Sequence, residues 1–137
     1  MAELTFGGLF TPEGGNLGAI VINPAIPHAQ DGFDIEWADA NLDQQNAAGA
    51  YKDTVWITDD HNTDEDGNSV VVWVQEIDLP GLAPGQSESR VVSVPASAIA
   101  PAKYTFHVYI DSHNDVPELD VTDSNNYSFN AGIDVNN

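Results

Sequence analysis

The sequence predicts an all-β fold, an immunoglobulin-like β-sandwich of about seven antiparallel strands in two sheets. Three features predict it. Short apolar segments alternate with period two, turn residues rich in Pro, Gly, Asn and Asp separate them, and no stretch carries a convincing amphipathic helical period. At 137 residues the chain has the length of one domain, enough to bury a core without disulfides, and it has no cysteine to form any.

Residues 1–17 read as an N-terminal arm and 18–137 as a single domain. The arm is rich in Gly and Pro, yet Leu4, Phe6, Leu9 and Phe10 are too apolar for a plain linker. They suit a strand added to the chain's own sheet or to a neighbour's edge, the second being a route to self-association. Ala19 to Asn23 is a short strand that Pro24 and Pro27 should end. Phe33, Ile35 and Trp37 alternate with Asp34, Glu36 and Ala38, giving a strand with one wet face and Trp37 in the core. Asn41 to Gly49 is polar, small and aperiodic, hence a loop. Thr54 to Thr58 and Val70 to Ile77 are rich in β-branched and aromatic residues, and Asp66-Gly67-Asn68 between them marks a hairpin tip. Arg90 to Val94, Lys103 to Ile110 and Tyr127 to Val135 complete the seven.

Composition narrows function. The chain has 22 Asp and Glu against three Lys and Arg, a formal charge of −19. Nucleic acid and anionic membrane both demand a basic face, so neither is an expected partner. No apolar run is long enough to insert in a membrane as a helix. The acidity suits solubility in a saline habitat, a halophile-like composition. The first residues lack the basic flank and apolar run of a signal peptide, so an extracellular destination implies another export route or a longer parent chain.

Two acidic loops are candidate calcium sites. In the first, Asn62, Asp64, Asp66 and Gly67 reproduce positions 1, 3, 5 and 6 of an EF-hand loop, but position 12 is Trp73, so the bidentate Glu is missing. The competing account is a solvated acidic tip that guards a sheet edge. In the second, Asp111, Asp115, Glu118, Asp120 and Asp123 offer oxygen ligands between the last two strands. There the competing account is a metal-free turn clamp in which Glu118, Asn125 and Asn126 hydrogen-bond backbone groups. Calcium is the one ion the sequence suggests, and no cofactor is required. His28, His61, His107 and His113 are too scattered for a zinc or copper site, and His107 reads as a surface residue. Carboxylates in polar turns lack the apolar pocket that raises a catalytic pKa, and no phosphate loop or nucleophile motif is present, so enzyme activity is not expected. Trp56 and Trp73 flank the acidic hairpin. If both face outward they form a ligand platform for sugars; if inward, they are packing.

Two motifs carry a resemblance. Leu79-Pro80-Gly81-Leu82-Ala83-Pro84-Gly85-Gln86-Ser87, followed by a strand, and the later run Asp111, Asn114, Val116, Glu118, Asn125-Asn126 are similar to the Leu-Ala-Pro-Gly-Gln turn and closing signature of the bacterial cell-adhesion-related domain, CARDB. The match spans roughly Gly32 to Val135. Two extra residues precede Asn125-Asn126, and Asp120 or Asp123 replaces a second Glu. The resemblance implies an immunoglobulin-like sandwich, often repeated in tandem in large surface proteins, with the Asn pair as a structural clamp. The expected function is a non-catalytic structural or adhesive module, extracellular or at the cell surface, contacting a protein, a glycan or neighbouring copies of itself. The alternatives are a carbohydrate-binding module and a structural component of a virion or secretion apparatus.

Overall fold

The computed structural model describes residues 4–6, 20–41, 45–112 and 127–137. Among them are eight strands and no helix: β1 (Leu4–Phe6), β2 (Val21–His28), β3 (Gly32–Asn41), β4 (Tyr51–Thr63), β5 (Ser69–Leu79), β6 (Ser87–Val94), β7 (Ala102–Tyr109) and β8 (Tyr127–Val135). The seven expected strands are present, and the eighth comes from the arm. In one sheet β3 is central, with β6 on one side and β1 and β2 sharing the other; the second sheet runs β5-β4-β7-β8, and every pairing between strands is antiparallel.

Period-two alternation explains the sandwich. Phe33, Ile35 and Trp37 of β3, Val92 and Val94 of β6, Val55 and Ile57 of β4, and Tyr104, Phe106 and Val108 of β7 all turn inward and form one core. Phe33 meets Phe106 edge to face across the sheets, ring centroids 5.7 Å apart. Tyr104, near the start of β7, donates its hydroxyl to the Ala100 carbonyl at 2.6 Å, the tyrosine corner of immunoglobulin-like sandwiches. Leu4 is fully buried and β1 pairs with residues 39–41 of β3, so this part of the arm lies in a sheet of its own chain. Leu9 and Phe10 lie outside the described residues.

Two expectations need correction. The strand expected to end at Pro24 continues to His28, because β2 is an outer strand where a missing N–H is tolerated, and its register with β3 slips between Asn23 and His28. Asn41 is the end of β3 rather than the start of a loop. Further on, the Leu-Ala-Pro-Gly-Gln segment is a buckle. Leu82 and Ala48 exchange backbone hydrogen bonds at 2.8 and 3.0 Å, and the Asn41 N–H donates to the Gln86 carbonyl at 2.9 Å. Gly81 has φ +109, and a Cβ there would stand 2.3 Å from the Ala48 carbonyl oxygen. Only glycine fits so close an approach.

Candidate functional site

Three side-chain groups stand out, and the sequence pointed to two of them. The first is the β4–β5 hairpin tip. Gly67, at φ +84, donates its N–H to the Asp64 carbonyl. The Asp64 carboxylate accepts from the N–H groups of Asp66 and Asn68 at 2.9 and 3.0 Å, while Asp59 accepts from the His61 N–H and the Asn62 amide at 2.8 and 2.7 Å. The backbone N–H of His61, helped by Asn62, holds the Asp59 carboxyl below its ordinary range. These carboxylates order the tip by accepting local hydrogen bonds. Among the described residues, no three Asp, Glu or His side chains are grouped to hold a metal ion. Asp115, Glu118, Asp120, Asp123, Asn125 and Asn126 lie outside the described residues, and with them the turn clamp and all of the second candidate calcium loop except Asp111, which is buried.

The second group is aromatic, on the outer face of the β5-β4-β7-β8 sheet, and it corrects the expected platform. Trp56 pairs with Val74 across the ladder, whereas Trp73 pairs with Ile57 and packs against the core. Adjacent ladder positions project to opposite faces, so the two tryptophans share no surface. Trp56 instead stacks on His107, its partner on β7, with centroids 4.8 Å apart and planes within 1°. That distance is the spacing of neighbouring strands, so the rings stand upright like books. Tyr127 stacks on both, at 5.9 and 6.0 Å, and on Phe129 at 6.0 Å. His107 is therefore more than a surface residue. Its Nε2 lies 2.8 Å from the Thr58 hydroxyl and its Nδ1 2.7 Å from the Tyr127 hydroxyl, and burial lowers its pKa against the opposing pull of Asp60. Phe129 and Val74, at the two ends of this row, remain 57% and 60% exposed.

The third group is a buried polar clasp between the sheets, which the sequence reading missed. The Trp37 indole N–H is shared between Asp39 Oδ1 at 2.9 Å and Asp53 Oδ2 at 3.0 Å, and the Tyr51 hydroxyl donates to Asp39 Oδ2 at 2.7 Å. The N–H of Asp111, a buried residue at φ +55, reaches Asp53 Oδ1 at 3.3 Å. Arg90 Nε is 3.6 Å from Asp39 Oδ2, and both Nε and Nη2 are buried without a hydrogen-bond acceptor. Both carboxylates are fully buried. Burial, the hydrogen bond with Asp39 and the Asp39 charge push Asp53 up to about 9, so it holds a proton at neutral pH. Burial and the Asp39 charge likewise push the Tyr51 hydroxyl up. A signal existed in the sequence: Asp39 follows Phe33, Ile35 and Trp37 in phase, Asp53 lies in phase with Tyr51, Val55 and Ile57, and Arg90 with Val92 and Val94. A charge on the apolar face of a strand needs a buried partner.

Two antiparallel sheets closed by a tyrosine corner and joined by an internal polar clasp define an immunoglobulin-like β-sandwich module. The CARDB family model matches residues 48–130, more than half of the chain, and the chain belongs to that family of non-catalytic modules. Among solved structures, it is similar to a CARDB domain from Pyrococcus furiosus crystallised in complex with di-metal ions, with TM-score 0.61 and 17% identity over 98% of this chain and 92% of that one. A solution structure of a Pyrococcus furiosus CARDB domain gives TM-score 0.56 at 17% identity, covering 99% of this chain and 96% of that one. A family 3 β-glucosidase from Bifidobacterium adolescentis matches with TM-score 0.51 and 10% identity, covering 97% of this chain but 17% of the enzyme. At such identities the likeness speaks to the fold alone. None of the curated proteins matches the chain.

Proposed function

We propose that this chain is a structural or adhesive module of a cell-surface or extracellular assembly, and that it works through the outer face of the β5-β4-β7-β8 sheet. The row Val74, Trp56, His107, Phe129 carries this reading. It holds large apolar groups at the surface of a chain with net charge −19, in a stack rigid enough to lose little entropy on contact. The partner is a protein surface rather than a sugar. A sugar ring stacks on an open aromatic face, and here Trp56, His107 and Tyr127 turn their faces to one another. All three basic residues pair with aspartates, Lys52 with Asp78, Arg90 with Asp39 and Lys103 with Asp134, so the protein's long-range field is acidic and favours a neutral or basic partner. The placement is tested on intact source cells treated with a protease that cannot enter them. Loss of this chain's epitope without lysis is the expected result, and an epitope cleaved only after lysis would sink the extracellular reading.

Calcium stabilisation is the second part of the proposal, supported by the di-metal ions in the Pyrococcus relative and by the density of carboxylates in the sequence between Asp111 and Asp123. Carboxylates about 6 Å apart at an effective dielectric near 20 repel by about 3 kcal/mol per pair before screening, and a bound divalent cation removes that repulsion.

A further inference from the structure

Among the described residues, β5 has a neighbouring strand on one side only, β4, and forms the edge of its sheet. Its composition is unusual for an edge. Ser69-Val70-Val71-Val72-Trp73-Val74-Gln75 has neither charge nor proline, in a chain carrying −19 overall, and Val71 and Val74 are 53% and 60% exposed. Proteins ordinarily blunt exposed edges with charges, proline or short length. The outer strand β2 of the other sheet carries Pro24 and Pro27, whereas the eleven residues of β5 carry no proline, and their ladder with β4 is interrupted by register shifts between Ser69 and Val71 and between Val71 and Trp73. An edge left this apolar accepts another strand, through main-chain hydrogen bonds and side-chain rows on both faces.

We propose that β5 pairs antiparallel with β5 of a second copy about a two-fold axis at Val74, joining two four-stranded sheets into one of eight. Charge excludes the registers centred on Glu76 and Ile77, and continuity of the lateral row through Trp56 places the axis at Val74. A two-fold at Val74 sets Glu76 opposite Val72 and Asp78 opposite Val70. A two-fold at Glu76 would set Glu76 against itself, and one at Ile77 would set Glu76 against Asp78, like charges that destabilise a ladder. With the axis at Val74, that residue meets its own copy. The lateral row Phe129, His107, Trp56, Val74 then runs unbroken through the axis into the second molecule. Symmetric pairing of one patch with itself is the commonest closed assembly. Because each copy carries −19, solvent-screened repulsion opposes the contact while backbone and apolar terms favour it, so raising salt tightens the dimer. This inference names a partner for the edge and does not depend on where the protein resides.

Sedimentation velocity from low micromolar to near-millimolar protein, at low and high NaCl, tests it. The wild type is expected to shift from monomer to dimer with concentration, at lower concentration in high salt. Val74→Glu and Val74→Lys each place like charges across the axis and should weaken association at least tenfold, with circular dichroism unchanged because the side chain is exposed. Val74→Thr should dimerise as the wild type does. An equimolar mixture of V74E and V74K should form a mixed dimer at least tenfold tighter than either variant alone, since each copy then meets the opposite charge. A wild type that stays monomeric, or a dimer indifferent to V74E, would overturn the proposal. Failure of the mixture to restore association would overturn the self-facing register at Val74.

Discussion

Replacing Asp53 with asparagine removes one proton-binding group from the inter-sheet clasp while keeping its shape. In the folded protein Asp53 is pushed up to about 9 by burial and by its neighbour Asp39; in an unfolded chain an aspartate titrates near about 3.9. Between those values the folded state binds a proton that the unfolded state has released. The contribution to stability is therefore full below about pH 4, is lost progressively as pH rises through about 9, and then levels off. At about 1.36 kcal/mol per unit, the interval from about 3.9 to pH 7.5 sets a ceiling of about 5 kcal/mol. Relaxation and water penetration around a buried charge bring the effect down to about 2–4 kcal/mol. An asparagine does not titrate, so the variant lacks this slope. It also loses one acceptor, because Asp53 receives Trp37 and Asp111 on different oxygens and an amide has only one. That loss is about 1 kcal/mol. Urea unfolding followed by tryptophan fluorescence should find the variant about 1 kcal/mol less stable at about pH 4.5 and about 1–3 kcal/mol more stable at about pH 8.5. Titrating groups outside the clasp are common to both proteins and cancel in the difference. A difference that stays constant across this pH range would refute a proton held by the clasp.

Three further outcomes are expected. Gly81→Ala should lower stability by about 1–3 kcal/mol or more, since the new Cβ meets the Ala48 carbonyl and the residue sits at φ +109; an unchanged melting temperature would contradict the buckle. Leu4→Ala should cost about 2–5 kcal/mol because the side chain is fully buried, and a negligible loss in urea melts would mean that β1 leaves the sheet in solution. Millimolar CaCl₂ should raise the melting temperature more than NaCl of matched ionic strength. That excess should vanish on joint Asp64→Asn and Asp66→Asn or on joint Asp111→Asn and Glu118→Gln, whichever loop binds, and equal rises in the two salts would leave only generic screening.

Alternation and turn chemistry made most of the fold legible. Phe33, Ile35 and Trp37, or Tyr104, Phe106 and Val108, alternate so regularly that strand, face and core membership follow together. The site was less legible, for a physical reason in each case. Trp56 and Trp73 are outer and inner because of the β4–β5 register, which depends on the hairpin length and on the shift at Val72, neither visible in composition. His107 was placed on the correct face, but its stack with Trp56 and Tyr127 joins three strands distant in sequence. Asp39, Asp53 and Arg90 were passed over because charge suggested solvent, although their phase put them among core residues. There periodicity was the better guide than polarity.

The central claim, that the outer aromatic face is the contact surface, is tested most directly by co-sedimentation with envelopes of the source cells. Phe129→Ser alters the exposed end of that face, and Val91→Ser removes a side chain of equal 57% exposure on the opposite sheet. The account predicts that Phe129→Ser lowers retention about tenfold, in keeping with loss of an aromatic anchor, while Val91→Ser binds as the wild type does. Equal retention of the two variants, or a selective loss with Val91→Ser, would contradict it.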